Sequence, residues 1–70
     1  MFTVYFDPLD YPGQYVVRRF RILHGEAMPD AEPQVVTTSL MEARNWIPDR
    51  CDSRLMRSPE DHRSVVETWL

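Results

Sequence analysis

Three side chains of this 70-residue chain are soft metal ligands or nucleophiles by type: His24, Cys51 and His62. Zinc sites usually place such residues in short paired spacings such as CxxC or HxxxH. These three are scattered along the chain without any such spacing. The sequence therefore predicts no metal site and no cofactor. We interpret the histidines as exposed loop residues and Cys51 as a buried or half-buried thiol.

A Cys51/His62 pair is the one combination of these residues that could support nucleophilic catalysis. Such a pair needs a concave pocket that excludes water. A chain of this length predicts a single domain, residues 1–70, whose core is too thin to leave much room for such a pocket. We therefore predict that the protein is not an enzyme and assign no catalytic residue.

Acidic residues form two groups that could serve acid–base or cation chemistry. Asp7 and Asp10 lie in the first turn, where aspartate more often caps its own backbone. The second group lies in residues 24–34, which contain one glycine and two prolines and no periodic apolar pattern. We interpret this segment as an exposed acidic loop.

All eight basic residues are arginines, and eleven acidic residues bring the formal net charge to -3. Arg18, Arg19 and Arg21 form the densest basic cluster, close to Tyr15 and Phe20. Aromatic and basic residues that share a sheet face can hold single-stranded nucleic acid. Strand alternation instead places Phe20 opposite Arg19 and Arg21. A solvated face, intramolecular ion pairs or an acidic protein partner is therefore favoured over nucleic acid.

Residues 14–23 organise the predicted fold because they form the longest run of β-branched, aromatic and aliphatic residues. Alternate residues of this strand fall on two faces. The side of Val16, Phe20 and Ile22 carries one arginine, whereas the other side carries two adjacent ones. We therefore predict that the Val16 side faces the core and that the other side faces water.

Residues 2–6 alternate as a half-buried strand, and a type II turn at residues 11–14 predicts a hairpin with the long strand. A capping box from Ser39 to Glu42 begins a short helix that Pro48 ends. The helix is expected to dock through Leu40, Ala43 and Ile47, with Trp46 closing the core. Short strands are predicted at residues 54–57 and 64–70, and Val35 and Val36 could add an extended piece.

These elements predict an α+β fold: a small antiparallel sheet of three to four strands with one short helix on one face, in the order ββαβ or ββαββ. In the last strand, Val66 and Leu70 are predicted to face inward. Glu67 would then lie in water and pair with an arginine of the long strand. Because tryptophan, tyrosine and arginine dominate binding hot spots, the candidate interaction residues are Tyr15, Arg19, Arg21, Glu67 and Trp69.

The amino-terminal segment lacks the basic and apolar regions of a signal peptide. No segment approaches the roughly 18 apolar residues of a membrane span. The single cysteine cannot form an internal disulfide, which favours a reducing compartment. Together these features predict a cytoplasmic protein without a membrane partner.

Three segments carry a resemblance: YPGQYVVRR at residues 11–19, the helical segment 39–48, and VVETWL at residues 65–70. They resemble short uncharacterised bacterial and prophage-type proteins of similar length. The resemblance covers most of the chain and implies a bacterial or phage source. It assigns no activity.

The sequence thus favours a non-catalytic protein-interaction module, whose partner is an unidentified protein or a second copy of the chain. One alternative is a small acidic inhibitor of a nucleic-acid-handling complex, of the anti-CRISPR kind, in which carboxylates of residues 26–32 imitate phosphates. The other is a nucleic-acid binder that uses Arg19 and Arg21, with affinity that falls steeply with salt.

Overall fold

A computed structural model describes residues 1–70 and shows a six-stranded antiparallel sheet with one short helix. The elements in chain order are β1 (Phe2–Phe6), β2 (Tyr15–Leu23), β3 (Glu26–Pro29), β4 (Val35–Thr37), α1 (Leu40–Asn45), β5 (Arg54–Met56) and β6 (Val65–Trp69). The strand order is β3-β2-β1-β6-β5, and β4 also pairs with β2. The predicted sheet of three to four strands is therefore wrong: the protein is mostly sheet and has more strands.

The turn between β1 and β2 follows the predicted chemistry. Gly13 adopts a φ of 72°, and the Gln14 amide donates to the Tyr11 carbonyl at 3.3 Å, as a type II turn requires. The Asp7 carboxylate accepts from the Gly13 amide at 2.6 Å. The interpretation of Asp7 as a turn-capping residue is confirmed. The two strands that this turn connects pair in a register in which Phe6 lies opposite Tyr15.

Strand β3 replaces part of the predicted acidic loop. His24 and Gly25 both have positive φ, 51° and 81°, and they form a two-residue turn between β2 and β3. Both central residues of a type I′ hairpin turn need such φ values. Strand β3 was not predicted because its four residues are exposed on both faces and carry no apolar alternation. Pro29 also lowered the expectation of a strand there.

The core lies between α1 and one face of the sheet. It contains Phe2, Val4, Val17, Ala43, Ile47 and Cys51. The prediction that the Val16 side of β2 faces the core is wrong, because the core cluster contains Val17, together with Ala43 of α1, and not Val16. Val16 is also buried, but Ile22 on its side is exposed. The two arginines on the Val17 side stay out of the core because their side chains are partly exposed and bind Asp30.

Helix α1 is held at its start by two side chains. The Ser39 hydroxyl accepts from the Glu42 amide at 3.2 Å, which confirms half of the capping box. The Glu42 carboxylate accepts from the Thr37 hydroxyl at 3.0 Å instead of reaching back to Ser39. Trp46, expected to close the core, is 53% exposed at the end of the helix. This single helix is neither long nor apolar enough to span a membrane.

Candidate interaction surface

Glu67, predicted to lie in water, is 1% exposed and forms the polar centre of the helix-covered face. Its two carboxylate oxygens accept from Arg44 Nε at 2.9 Å and Nη2 at 2.7 Å, and Trp69 Nε1 donates at 2.7 Å. The expectation that Glu67 pairs with an arginine of β2 is therefore wrong. Its partner is on the helix, so the pair fastens α1 to β6.

The physical reason for this error is a bulge. The β1–β6 register shifts between Val4 and Tyr5, which are opposite Glu67 and Val65. The extra residue breaks the alternation, so Val66 packs against the core, as predicted, while Glu67 also faces it. Leu70, predicted to face inward, is 51% exposed.

The bidentate contact shifts both ionisation equilibria. Hydrogen bonds from Arg44 lower the pKa of the Glu67 carboxyl below its ordinary value, against the opposing effect of burial, and the Trp69 hydrogen bond acts in the same direction. The hydrogen bond with Glu67 raises the pKa of Arg44. The contact between Arg44 and Glu67 was not predicted from the sequence. Arg44 lies four positions after Leu40, on the docking side of the helix, and this spacing was the available signal.

Arg19 and Arg21, the predicted basic site, both bind the Asp30 carboxylate. The Arg19 contact is 3.0 Å and the Arg21 contact is 3.2 Å. Tyr15 is half-buried against the core, with its ring 4.7 Å from that of Phe6. The structure thus places the Arg19 and Arg21 charges in intramolecular ion pairs. An interaction role for them, and for Tyr15, stays a prediction.

Trp69 is half-buried against the core and donates to Glu67. It contributes to a cavity of about 230 Å³ between the end of α1, the following loop and β6. Cys51 lines the same cavity as a buried free thiol.

No three histidine, cysteine or acidic side chains come together in a way that could hold a metal ion. His62 Nδ1 accepts from the Ser64 amide at 3.2 Å.

The sheet face opposite α1 carries a larger groove, which the sequence analysis did not locate. Its volume is about 520 Å³, and five of its nine lining residues are apolar. The floor comes from β1, β6 and β5, and the wall comes from the loop after β5. The lining residues are Met1, Thr3, Tyr5, Leu55, Met56, Ser58, Asp61, Val65 and Thr68. This volume is within the range of protein binding pockets.

Tyr5 and Asp61 are the two residues with ionisable side chains that line this open-face groove. Partial burial raises the pKa of the Tyr5 phenol above its ordinary value; Arg18 opposes this shift and Asp61 adds to it. The phenol is therefore neutral and able to donate a hydrogen bond over the physiological range. One Asp61 oxygen already accepts from the Ser58 amide at 2.9 Å.

Strand β5 borders the groove and is a free edge of the sheet. The Leu70 amide donates to the Ser53 carbonyl at 2.9 Å, which shows that Ser53 directs its backbone groups toward β6. Backbone direction alternates along a strand, so Leu55 also pairs with β6. The amide and carbonyl groups of Arg54 and Met56 point away from the sheet. Leu55 and Met56 are 51% and 67% exposed.

Four arginines form ion pairs and four do not. Arg18, Arg19, Arg21 and Arg44 are paired. Arg50, Arg54, Arg57 and Arg63 are exposed and have no acidic partner. Two of the unpaired arginines lie at the free edge strand β5: Arg54 is its first residue, and Arg57 immediately follows it. Two of the four unpaired positive charges thus lie beside this edge, and the other two, Arg50 and Arg63, lie in loops.

Comparison with known proteins gives no match: no family model, curated protein or solved structure is similar to this chain.

Proposed function

We propose that this protein is a non-catalytic interaction module that binds another polypeptide through the open face of its sheet. The observation that carries the proposal is the open-face groove, which ends at the free edge of β5. A sheet covered on one face by a helix leaves its other face for solvent or a partner. Here that face is concave and mainly apolar, and unpaired backbone donors and acceptors lie beside it.

The proposed location is the cytoplasm, which the free thiol of Cys51 supports. The ion pairs of Asp30 with Arg19 and Arg21 give less support to the two alternative functions, nucleic-acid binding and acidic inhibition, than the groove gives to the interaction module. Arg19 and Arg21 would have to exchange Asp30 for phosphate before they could bind nucleic acid. The same contacts occupy Asp30, one of the carboxylates of the acidic segment that an inhibitor would present.

A pull-down with a matched pair of variants tests the proposal. Leu55→Glu places a charge in the groove, whereas Leu9→Glu makes the same change at an 89% exposed position in the β1–β2 turn. The immobilised protein is incubated with bacterial lysate in two parallel samples, one treated with nuclease and one untreated. We expect wild type and Leu9→Glu to retain the same protein and Leu55→Glu to lose it while its circular dichroism spectrum stays native.

Two results would contradict the proposal. Equal capture by Leu55→Glu and wild type would show that the groove does not form the contact. Capture that depends on nucleic acid, and is lost on nuclease treatment, would favour the nucleic-acid alternative. Light scattering of the purified protein identifies self-association, since a dimer has twice the 8.3 kDa mass of the chain.

A further inference from the structure

The free edge of β5 also indicates the chemistry of the partner. An extended segment can extend a sheet by hydrogen bonding to an edge strand, and alternate side chains then read the two faces. The outward amide and carbonyl groups of Arg54 and Met56 supply such an edge. No proline blocks it: β3, at the opposite edge, ends in Pro29, whereas β5 has the sequence Arg-Leu-Met.

The two faces of β5 differ in charge. Leu55 is opposite Thr68 and lines the open-face groove. Arg54 is opposite Trp69, on the helix-covered face, where its charge contributes to the lowered pKa of Glu67 without forming an ion pair. A strand added to β5 would place the residue across from Arg54 near an unpaired guanidinium. The residue across from Leu55 would point to the groove side.

We infer that the partner of this module binds as an extended strand along β5, with an acidic side chain across from Arg54 and an apolar side chain directed into the open-face groove. This inference rests on the proposed function and specifies its ligand. Charge complementarity supports an acidic side chain at this one position, because Arg54 is exposed and forms no ion pair. Two-fold pairing of β5 with a second copy would instead add a second Arg54 to the ladder and no acidic residue, since β5 has the sequence Arg-Leu-Met.

Fluorescence anisotropy with two defined peptides tests the inference. The probes are a fluorescein-labelled heptapeptide of alternating glutamate and valine, and the same peptide with lysine in place of glutamate. We expect wild type to bind the acidic peptide about tenfold more tightly, because glutamate across from Arg54 forms an opposite-charge cross-strand pair, whereas lysine there places like charges opposite each other. Arg54→Glu is expected to reverse this preference.

Matched variants separate edge pairing from simpler effects. Arg50→Glu changes the net charge as Arg54→Glu does, but at an exposed and unpaired arginine outside β5, so it should leave the preference for the acidic peptide intact. Met56→Pro removes an outward amide, whereas Met56→Ala removes the side chain and keeps the amide. We expect Met56→Pro to weaken binding about fivefold more than Met56→Ala, the value of one hydrogen bond.

Three outcomes would overturn the inference: no binding of either peptide at millimolar concentration, equal binding of the two, or equal loss with the proline and alanine variants. These failures are distinguishable from failure of the proposed function. If the lysate partner is lost with Leu55→Glu but retained with Met56→Pro and Arg54→Glu, the interaction module stands and the acidic strand does not. If no partner and no peptide bind, both fall.

Discussion

Replacement of Arg44 by methionine tests whether the Glu67 contact holds the helix on the sheet. The variant keeps most of the aliphatic stem but removes both hydrogen bonds to the carboxylate, at 2.9 and 2.7 Å. Glu67, at 1% exposure, then keeps only the Trp69 contact. Breaking a buried pair costs about 3 to 5 kcal/mol. Because the Arg44 side chain is 36% exposed and partly screened, we expect about 3 kcal/mol.

Urea unfolding, followed by tryptophan fluorescence and circular dichroism, measures this loss. With a slope of about 1 kcal/mol/M, the midpoint should fall by roughly 3 M. The double variant Arg44→Met/Glu67→Gln removes the stranded charge, and it should be more stable than Arg44→Met alone by about 1 kcal/mol or more. Arg50→Met, at an exposed arginine without an ion pair, serves as the control and should stay within about 0.5 kcal/mol of wild type.

Two results would refute this reasoning. A cost below about 1 kcal/mol for Arg44→Met would put the contact in the class of exposed ion pairs. A double variant that is no more stable than Arg44→Met would show that no unpaired charge had been left behind by the single change. The helix would then be held mainly by apolar packing through Ala43 and Ile47.

Three further outcomes follow from the structure. The folded-state pKa of Glu67 is lowered, so its contribution to stability is fully present above the unfolded value near 4.5 and should be lost as pH falls through the folded pKa. Lowering the pH below 5 should therefore reduce the melting temperature of wild type more than that of Arg44→Met/Glu67→Gln. Parallel pH profiles in thermal unfolding would contradict this. His24→Gly should raise the free energy of unfolding by about 0.5 to 1 kcal/mol because φ at position 24 is positive, and a lower melting temperature would count against a strained turn. Ser39→Ala should cost about 1 kcal/mol in urea unfolding through loss of the helix cap, whereas Ser53→Ala, at an exposed position, should cost little; equal effects would rule out the cap.

Local signals predicted local structure well. The alternation of residues 2–6, the turn glycine Gly13 and the Ser39 cap all correspond to observed elements. What failed was the choice between faces. One residue inserted in β6 reversed the side of Glu67. Counting arginines chose the wrong face of β2 because Asp30, which directly follows the unpredicted strand β3, neutralises two of them.

The candidate site was harder to predict than the fold. Trp69 and Glu67 were predicted by residue type, but the Glu67 carboxylate binds both Trp69 and Arg44, and the Arg44 contact depends on helix docking. The open-face groove depends on the order β1-β6-β5, which no local pattern encodes. Leu55 and Arg54 attracted no attention because a three-residue exposed strand has almost no sequence signature.

The pairing of β1 with β6 has a consequence for how the chain folds. Phe2 lies opposite Trp69, so the middle of the sheet is built from segments near the two ends of the 70 residues. Closing this ladder means closing a loop of almost the whole chain, with an entropy cost that must be met before most packing energy is gained. The β1–β2 hairpin can form early, but completion of the core waits for β6. Refolding should therefore be slow for so small a domain, in the millisecond-to-second range of proteins with many non-local contacts.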